Sequence, residues 1–156
     1  MEFDFLVPID NEIIDYKNHL SSQHIGGVMA LHTDDAFPDL SEVKIALVGV
    51  LENRGDEGVA TVVDLTSVRK SLYGLFMGNW KMGIADLGDI LAGNSTMDTY
   101  FAVKKVVASL IKKGIVPIVI GGSQDLTYAL YRAYDELEQM VNLVAIDNKF
   151  EFPAKI

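Results

Sequence analysis

The stretch Val116-Pro117-Ile118-Val119-Ile120-Gly121-Gly122-Ser123-Gln124-Asp125 is an apolar run that ends in glycines and polar residues. A second stretch, Val144-Ala145-Ile146-Asp147-Asn148-Lys149-Phe150-Glu151, has the same form. Buried parallel strands are continuous apolar runs of this kind, and such strands deliver polar side chains to one rim of a sheet. The two stretches therefore predict parallel strands near residues 115–120 and 142–147, with their polar ends at the same rim.

Strand and helix patterns alternate over most of the chain. Further apolar runs near residues 45–50 and 83–86 predict two more strands, and helical spacing of apolar residues predicts helices over 96–113 and 125–140. The first of these helices can be capped by Ser95 or Thr96 and is ended by Gly114. Such alternation predicts right-handed crossovers with helices on both faces of the sheet. The fold class is therefore α/β, a three-layer α/β/α sandwich with a mostly parallel sheet.

The first 44 residues are less regular in pattern. Residues 10–20 predict a short amphipathic helix, and residues 21–40 predict a loop. We therefore divide the chain into an N-terminal extension that packs on the core, residues 1–44, and an α/β unit, residues 45–156.

Composition excludes several classes of function. The chain has 156 residues, a net charge of −9 and no cysteine. Its length predicts one domain with a substantial core. Nucleic acid and anionic membranes are not expected as partners because both select for basic patches, and thiol chemistry is excluded. The acidic N-terminus does not resemble a signal peptide and no apolar run approaches the length of a membrane span, so we expect a soluble cytoplasmic protein.

The two rim motifs together resemble those of the ureohydrolase family, which comprises arginase, agmatinase and formimidoylglutamase. The first family motif reads Gly-Gly-Asp-His and the second reads Asp-Ala-His-Thr-Asp. Their separation is the same as in this chain, where Asp147 comes 23 residues after Gln124. The resemblance implies an arginase-like sheet, incomplete in this chain, which corresponds to the N-terminal half of the family domain.

Other segments resemble the family in the same order along the chain. Residues 45–50 resemble its first strand, residues 68–72 the following helix, and residues 84–89 its second strand. The resemblance covers residues 45–151, and Glu52-Asn53-Arg54-Gly55 indicates a formimidoylglutamase-like branch.

The resemblance implies a pair of manganese ions whose bridging hydroxide hydrolyses a linear amidine such as formimidoylglutamate. The ligand positions carried over to this sequence are Gln124, Asp147, Lys149 and Glu151. Gln124 and Lys149 stand where the family has histidine. An amide is a poor ligand for a transition metal, and an ammonium group has no lone pair. We therefore predict a degenerate site that binds manganese weakly or not at all, no identified catalytic residue, and a chain that is inactive alone.

Two other functions remain open. One is a pseudoenzyme or regulatory relative that keeps the fold without the metals. The other is a flavodoxin-like module that binds a small anion through the backbone N–H groups of Gly121, Gly122 and Ser123. The small-molecule partner is an amidine only if the chain is active. We also expect a homo-oligomer, because an incomplete sheet exposes strand edges and apolar faces.

The remaining conspicuous residues have simpler interpretations. Asp86 and Asp89 predict a turn at a strand end. Residues 52–57 predict a solvated loop that a substrate could contact, because the loop lies at the functional rim. Surface positions are predicted for the histidines, which are His19, His24 and His32. Core packing or a subunit contact is predicted for a cluster of large apolar residues, namely Phe76, Met77, Trp80 and Met82.

Overall fold

Five strands and five helices form the part of the chain that the computed structural model describes, which is residues 3–55, 64–144 and 146. In chain order the elements are β1 (Leu6–Val7), α1 (Asn11–Asn18), α2 (Ile25–Val28), β2 (Ala30–Leu31), β3 (Val43–Val50), α3 (Leu65–Tyr73), β4 (Gly83–Ile90), α4 (Thr96–Lys112), β5 (Val116–Ile120) and α5 (Leu126–Glu136).

The strands form one mostly parallel sheet. The central strand β3 pairs in parallel with β4 on one side and with β5 on the other. β4 also pairs with β2 in parallel and with β1 antiparallel, so β5 is an edge of the described sheet. Val50 lies opposite Ile90, and Gly49 lies opposite Ile120. This register brings the carboxyl ends of the three long strands to a common rim.

Helices cover both faces of the sheet, which confirms the three-layer α/β/α class. Alternate residues of β3 belong to different apolar clusters. Ala46, Val48 and Val50 pack with α4 and α5, whereas Leu47 packs with α1 and α3. A strand that is buried on both faces has a continuous apolar sequence, as the pattern of residues 45–50 indicated.

The helix boundaries agree with the predictions at most ends. Ser95 caps α4: its hydroxyl accepts from the backbone N–H of Asp98, and the Asp98 carboxylate accepts from the N–H of Ser95 in return. The prediction for α5 was too long. Glu138 has φ +54°, a left-handed conformation that cannot continue a helix, and Met140 is fully exposed.

The N-terminal segment contributes β1 and β2 to the sheet, so the prediction of a loop over residues 21–40 was wrong for Ala30–Leu31 and for α2. The predicted strand over 142–147 is not formed at residues 142–144 and 146, which lie outside any helix or strand, while residues 145 and 147 lie outside the described residues. Within the described part, no helix is both long and apolar enough to cross a membrane.

Candidate functional site at the sheet rim

Gln124 lies at the rim, between the end of β5 and the start of α5, and its side chain is exposed. This is the position that the rim-motif prediction assigned to it. The other predicted ligands, Asp147, Lys149 and Glu151, lie outside the described residues. Their convergence with Gln124 therefore stays a prediction.

A tight glycine turn joins β5 to this position. Gly121 and Gly122 have φ values of +82° and +79°, which L residues rarely adopt. A Cβ on Gly122 would lie 2.0 Å from Cδ1 of Leu126, so close packing also requires glycine there. The backbone N–H of Ser123 donates to the Glu52 carbonyl oxygen at 2.8 Å, and the Ser123 hydroxyl donates to the same oxygen at 3.4 Å. The first of these bonds occupies one of the three backbone N–H groups named in the anion-binding prediction, which otherwise stays a prediction.

Glu52 is fully buried just beyond the end of β3, so the prediction of a solvated loop was wrong at this residue. Its carboxylate accepts four hydrogen bonds. Oε1 accepts from the backbone N–H of Arg54 at 3.0 Å and from Nε of Arg54 at 2.9 Å. Oε2 accepts from Nη2 of Arg54 at 2.6 Å and from Oγ1 of Thr99 at 2.8 Å. The charge is buried with its donors in place, as a stable fold requires.

The Arg54 guanidinium lowers the pKa of the Glu52 carboxyl from its ordinary value of 4.5 to about 2, although burial opposes this shift. The carboxyl is therefore ionised at neutral pH. The same guanidinium donates to the carbonyl oxygens of Gly93 at 2.8 Å and Asn94 at 3.1 Å. Through Arg54 and Ser123, Glu52 connects the rim loops that follow β3, β4 and β5.

Asp125 follows Gln124 in the chain, as Ser123 precedes it. Its carboxylate accepts a hydrogen bond from the hydroxyl of Tyr100 on α4. It also packs against Gly55, where an added Cβ would lie 2.0 Å from a carboxylate oxygen. Both neighbours of Gln124 are thus attached to other rim elements.

A second buried ionic cluster lies below the rim, between α3 and the sheet. Asp86 is fully buried and Arg69 is 3% exposed. Arg69 donates to Asp86 through Nε at 2.7 Å and through Nη2 at 3.1 Å, and Nη2 lies 2.8 Å from Oδ1 of Asp89. The hydroxyl of Tyr73 and the N–H of Gly88 also donate to Asp86, at 2.9 and 3.1 Å. Asp86 and Asp89 lie within β4, so the prediction of a strand-end turn was wrong.

Burial and the neighbouring Asp86 carboxylate raise the pKa of the Tyr73 hydroxyl. Burial opposes the charge of Arg69, but Asp86 and Asp89 outweigh that effect and raise the pKa of the guanidinium. Tyr73 therefore stays a neutral donor and Arg69 stays a cation. The ion pairs of Arg69 with Asp86 and Asp89 hold α3 on the sheet.

The described residues contain no group of three or more His, Cys, Asp or Glu side chains that could hold a metal ion, and the predicted ligands Asp147, Lys149 and Glu151 lie outside them. A ring nitrogen of His19 lies 2.7 Å from the carbonyl oxygen of Asp15 in the last turn of α1, and a ring nitrogen of His32 lies 2.9 Å from the carbonyl oxygen of Leu87 in β4. His24 stacks on Phe76 with ring centroids 4.6 Å apart. Gln124 brings only a neutral amide to the rim.

The cluster of large apolar residues at 76–82 lies at the end of the sheet opposite the rim. Phe76 is 70% exposed and Trp80 is 61% exposed, so core packing was a wrong prediction for both, whereas Met77 packs against the core. They line an open surface cavity of about 900 Å³ together with residues near the start of β3 and β4. A subunit contact there stays a prediction.

Comparison with known proteins yields one family and two solved structures of interest. The arginase family profile matches residues 61–151. The agmatine ureohydrolase of Thermoplasma volcanium shares 21% identity, with 77% of this chain and 41% of that chain covered and a TM-score of 0.53. An arginase superfamily protein from Trypanosoma cruzi shares 20% identity, with 63% and 41% covered and a TM-score of 0.50. No curated protein sequence matches. The chain thus shares the fold of these structures and spans 41% of their length.

Proposed function

This chain belongs to the arginase family, and from that premise we propose that it forms part of a site for linear amidines in which the family's metal pair is weak or absent. The observation that carries the proposal is the position of Gln124. It lies four residues after the end of β5, at the exposed rim, where the family motif has histidine. An amide oxygen at that position is a weak ligand for manganese, and the ammonium group of Lys149 has no lone pair to offer.

The proposed ligand follows from the charges at the rim. Amidines and guanidines are planar cations at neutral pH, and carboxylates bind such cations through paired hydrogen bonds. We propose that Asp147 and Glu151 supply these carboxylates while Gln124 donates or accepts a further hydrogen bond. The net charge of −9 favours the approach of a cation to this surface. The charge argument favours the net cations agmatine and arginine. Formimidoylglutamate, whose two carboxylates make it a net anion, is tested beside them because residues 52–55 resemble that branch of the family.

The test is binding and turnover of arginine, agmatine and formimidoylglutamate, with and without added manganese. We expect calorimetry to detect binding of one amidine and colorimetric assays to detect no urea or formamide. Asp147→Asn should abolish binding. Asp135→Asn is the matched control because Asp135 is an exposed acidic residue that pairs with Arg132 on α5. Manganese-dependent turnover would contradict the degenerate site, and equal binding by the Asp147→Asn protein would contradict the carboxylate assignment.

A non-catalytic regulatory relative is the second candidate function, and it is supported by Gln124, which brings a neutral amide to the position where the family motif has histidine. The two candidates differ in how the site responds to restored ligands. In a hydrolase with a merely weakened site, Gln124→His with Lys149→His should bind manganese and give measurable turnover. In a regulatory relative, the same variant should bind manganese without turnover.

We also propose that the chain forms a homo-oligomer through the free edge of β5. In the described sheet β5 pairs only with β3, and its Val116 and Ile118 are 58% and 41% exposed. An open apolar edge is a template for pairing with another strand. Sedimentation velocity should show an oligomer that Ile118→Lys dissociates. Val68→Lys is the control because Val68 is 43% exposed on α3, and equal dissociation by both variants would contradict the proposal.

A further inference from the structure

We infer that Glu52 is a positioning residue that fixes Gln124 at the rim by connecting the three loops around it. Its influence on ligand binding rests on the proposed function, whereas its influence on the loop does not. Glu52 does not face the proposed ligand, because its side chain is fully buried and its four hydrogen bonds all go to protein groups. It acts through Ser123, the residue that precedes Gln124.

The Glu52 side chain holds its own main chain in place. The carboxylate binds three donors of Arg54, two residues along the chain, so it holds the backbone of residues 52–54 where it enters the turn at Arg54 and Gly55. Thr99 attaches the same carboxylate to the first turn of α4, and Oγ1 of Thr99 accepts from the N–H of Gly93 at 2.9 Å. The carbonyl group of Glu52 is therefore held in one direction by contacts with two other elements.

The carbonyl group of Glu52 also holds the loop that follows β5. Its oxygen accepts from both the N–H and the hydroxyl of Ser123. Gly122 packs so closely that an added Cβ would lie 3.1 Å from the same oxygen. The glycine turn has no strand partner of its own in the described sheet. Its attachment to Glu52 consequently sets where the chain enters Gln124.

The backbone is also held where it leaves Gln124, through contacts of Asp125. Asp125 accepts from Tyr100 and packs against Gly55, which follows Arg54 in the turn that Glu52 organises. Gln124 is thus held on both sides by groups that depend on the same turn, while its own side chain is exposed. A side chain on a backbone held in this way is preorganised for a ligand, which reduces the entropy lost on binding.

Amide hydrogen exchange at Ser123 tests the inference in the wild-type chain. Glu52→Gln keeps the shape of the side chain but places an NH₂ donor against Arg54 or Thr99, which are donors themselves. We expect exchange at Ser123, measured by NMR, to rise about tenfold or more. Thr99→Val is a milder variant, because it removes only one of the four hydrogen bonds that the Glu52 carboxylate accepts. It keeps the test available if the Glu52→Gln protein does not fold. We expect a smaller rise at the same amide.

Glu136→Gln is the matched control. The Lys104 and Lys105 side chains lower the pKa of the Glu136 carboxyl to about 2, so this control also removes an ion-paired carboxylate. It lies at the far end of α5 from the rim. The inference predicts no change at Ser123 in the control once exchange is normalised to global unfolding. Unchanged exchange in both rim variants, or an equal rise in the control, would overturn it.

A second readout links the turn to binding. In a chain that carries Gln124→His and Lys149→His, we expect adding Glu52→Gln to weaken manganese binding about tenfold, while adding Glu136→Gln has no effect. Equal weakening by both would mean a general loss of stability and would overturn the positioning role. If the double-histidine chain itself binds no manganese, the assignment of Gln124 and Lys149 as ligand positions is at fault, and the exchange result alone decides this inference.

Discussion

Arg69→Met removes a cation from a position where two carboxylates depend on it. Arg69 is 3% exposed, Asp86 is fully buried, and Asp89 is 17% exposed. The substitution keeps much of the side-chain volume but eliminates both hydrogen bonds to Asp86, the contact with Asp89 and a hydrogen bond to the Gly88 carbonyl oxygen at 3.2 Å. Tyr73 and Gly88 remain as donors to Asp86. A buried negative charge is therefore left without its counter-charge.

Removing one partner of a buried ion pair costs about 3–5 kcal/mol, because the remaining charge has lost its hydration without compensation. The partial exposure of Asp89 places Arg69→Met toward the lower end of that range, at about 3 kcal/mol. That is a large part of the total stability of a typical domain, about 5–15 kcal/mol. Lys70→Met is the matched control on the same helix. Its pair with Glu12 is 36% and 61% exposed, so we expect a cost of about 0.5 kcal/mol or less.

Urea unfolding followed by far-ultraviolet circular dichroism measures both variants. Fluorescence is a poor probe here because the single tryptophan, Trp80, is already 61% exposed in the folded state. Adding Asp86→Asn to Arg69→Met should recover stability, since the stranded charge is then removed. The reasoning is refuted if Arg69→Met costs no more than Lys70→Met, or if the double variant is less stable than Arg69→Met alone.

Other predictions follow from the same contacts. Because the Arg54 guanidinium lowers the pKa of folded Glu52 to about 2, its stabilisation is complete above pH 4.5 and is lost as the pH falls toward 2. The loss should be about 2 kcal/mol, allowing for the 41% exposure of Arg54, and acid titrations of stability should show a smaller loss in Glu52→Gln. Gly49→Ala should cost about 1–3 kcal/mol in urea unfolding, because its Cβ would lie 1.9 Å from Oδ1 of Asp89; a neutral result would mean that the cluster yields easily. Tyr73→Phe should cost about 1–2 kcal/mol by removing a donor to Asp86, and stability equal to wild type would contradict the assigned hydrogen bond.

Most of the sheet could be predicted from sequence because its long strands are buried on both faces. Residues 45–50, 83–86 and 115–120 are apolar runs, and each lies in a strand of the structure. β1 and β2 have two residues each, too few to produce a periodic pattern. They form because β4 offers a free edge, which is a property of the assembled sheet. The early end of α5 at Glu136 could not be predicted from its apolar spacing, because Glu138 adopts a left-handed conformation without glycine.

The sequence located Gln124 but not the ionic groups around it. From sequence alone, Glu52 and Asp86 are expected to be solvated, as charged residues usually are. They are buried because hydrogen-bonding partners that are distant in sequence surround them in the fold. Thr99 lies 47 residues from Glu52, and Arg69 lies 17 residues from Asp86. One signal was present: Leu65, Arg69 and Tyr73 follow at intervals of four and share the buried face of α3. A charge within such a stripe indicates a buried partner.

Our central proposal is that this member of the arginase family binds the family's manganese pair weakly or not at all with its own residues. Elemental analysis of protein purified without chelator, supplied with manganese and then desalted, tests the claim most directly. We predict no manganese above the buffer blank in the wild-type chain and retained manganese after Gln124→His with Lys149→His. A stoichiometric pair of manganese ions in the wild-type chain, lost on Asp147→Asn, would contradict the claim.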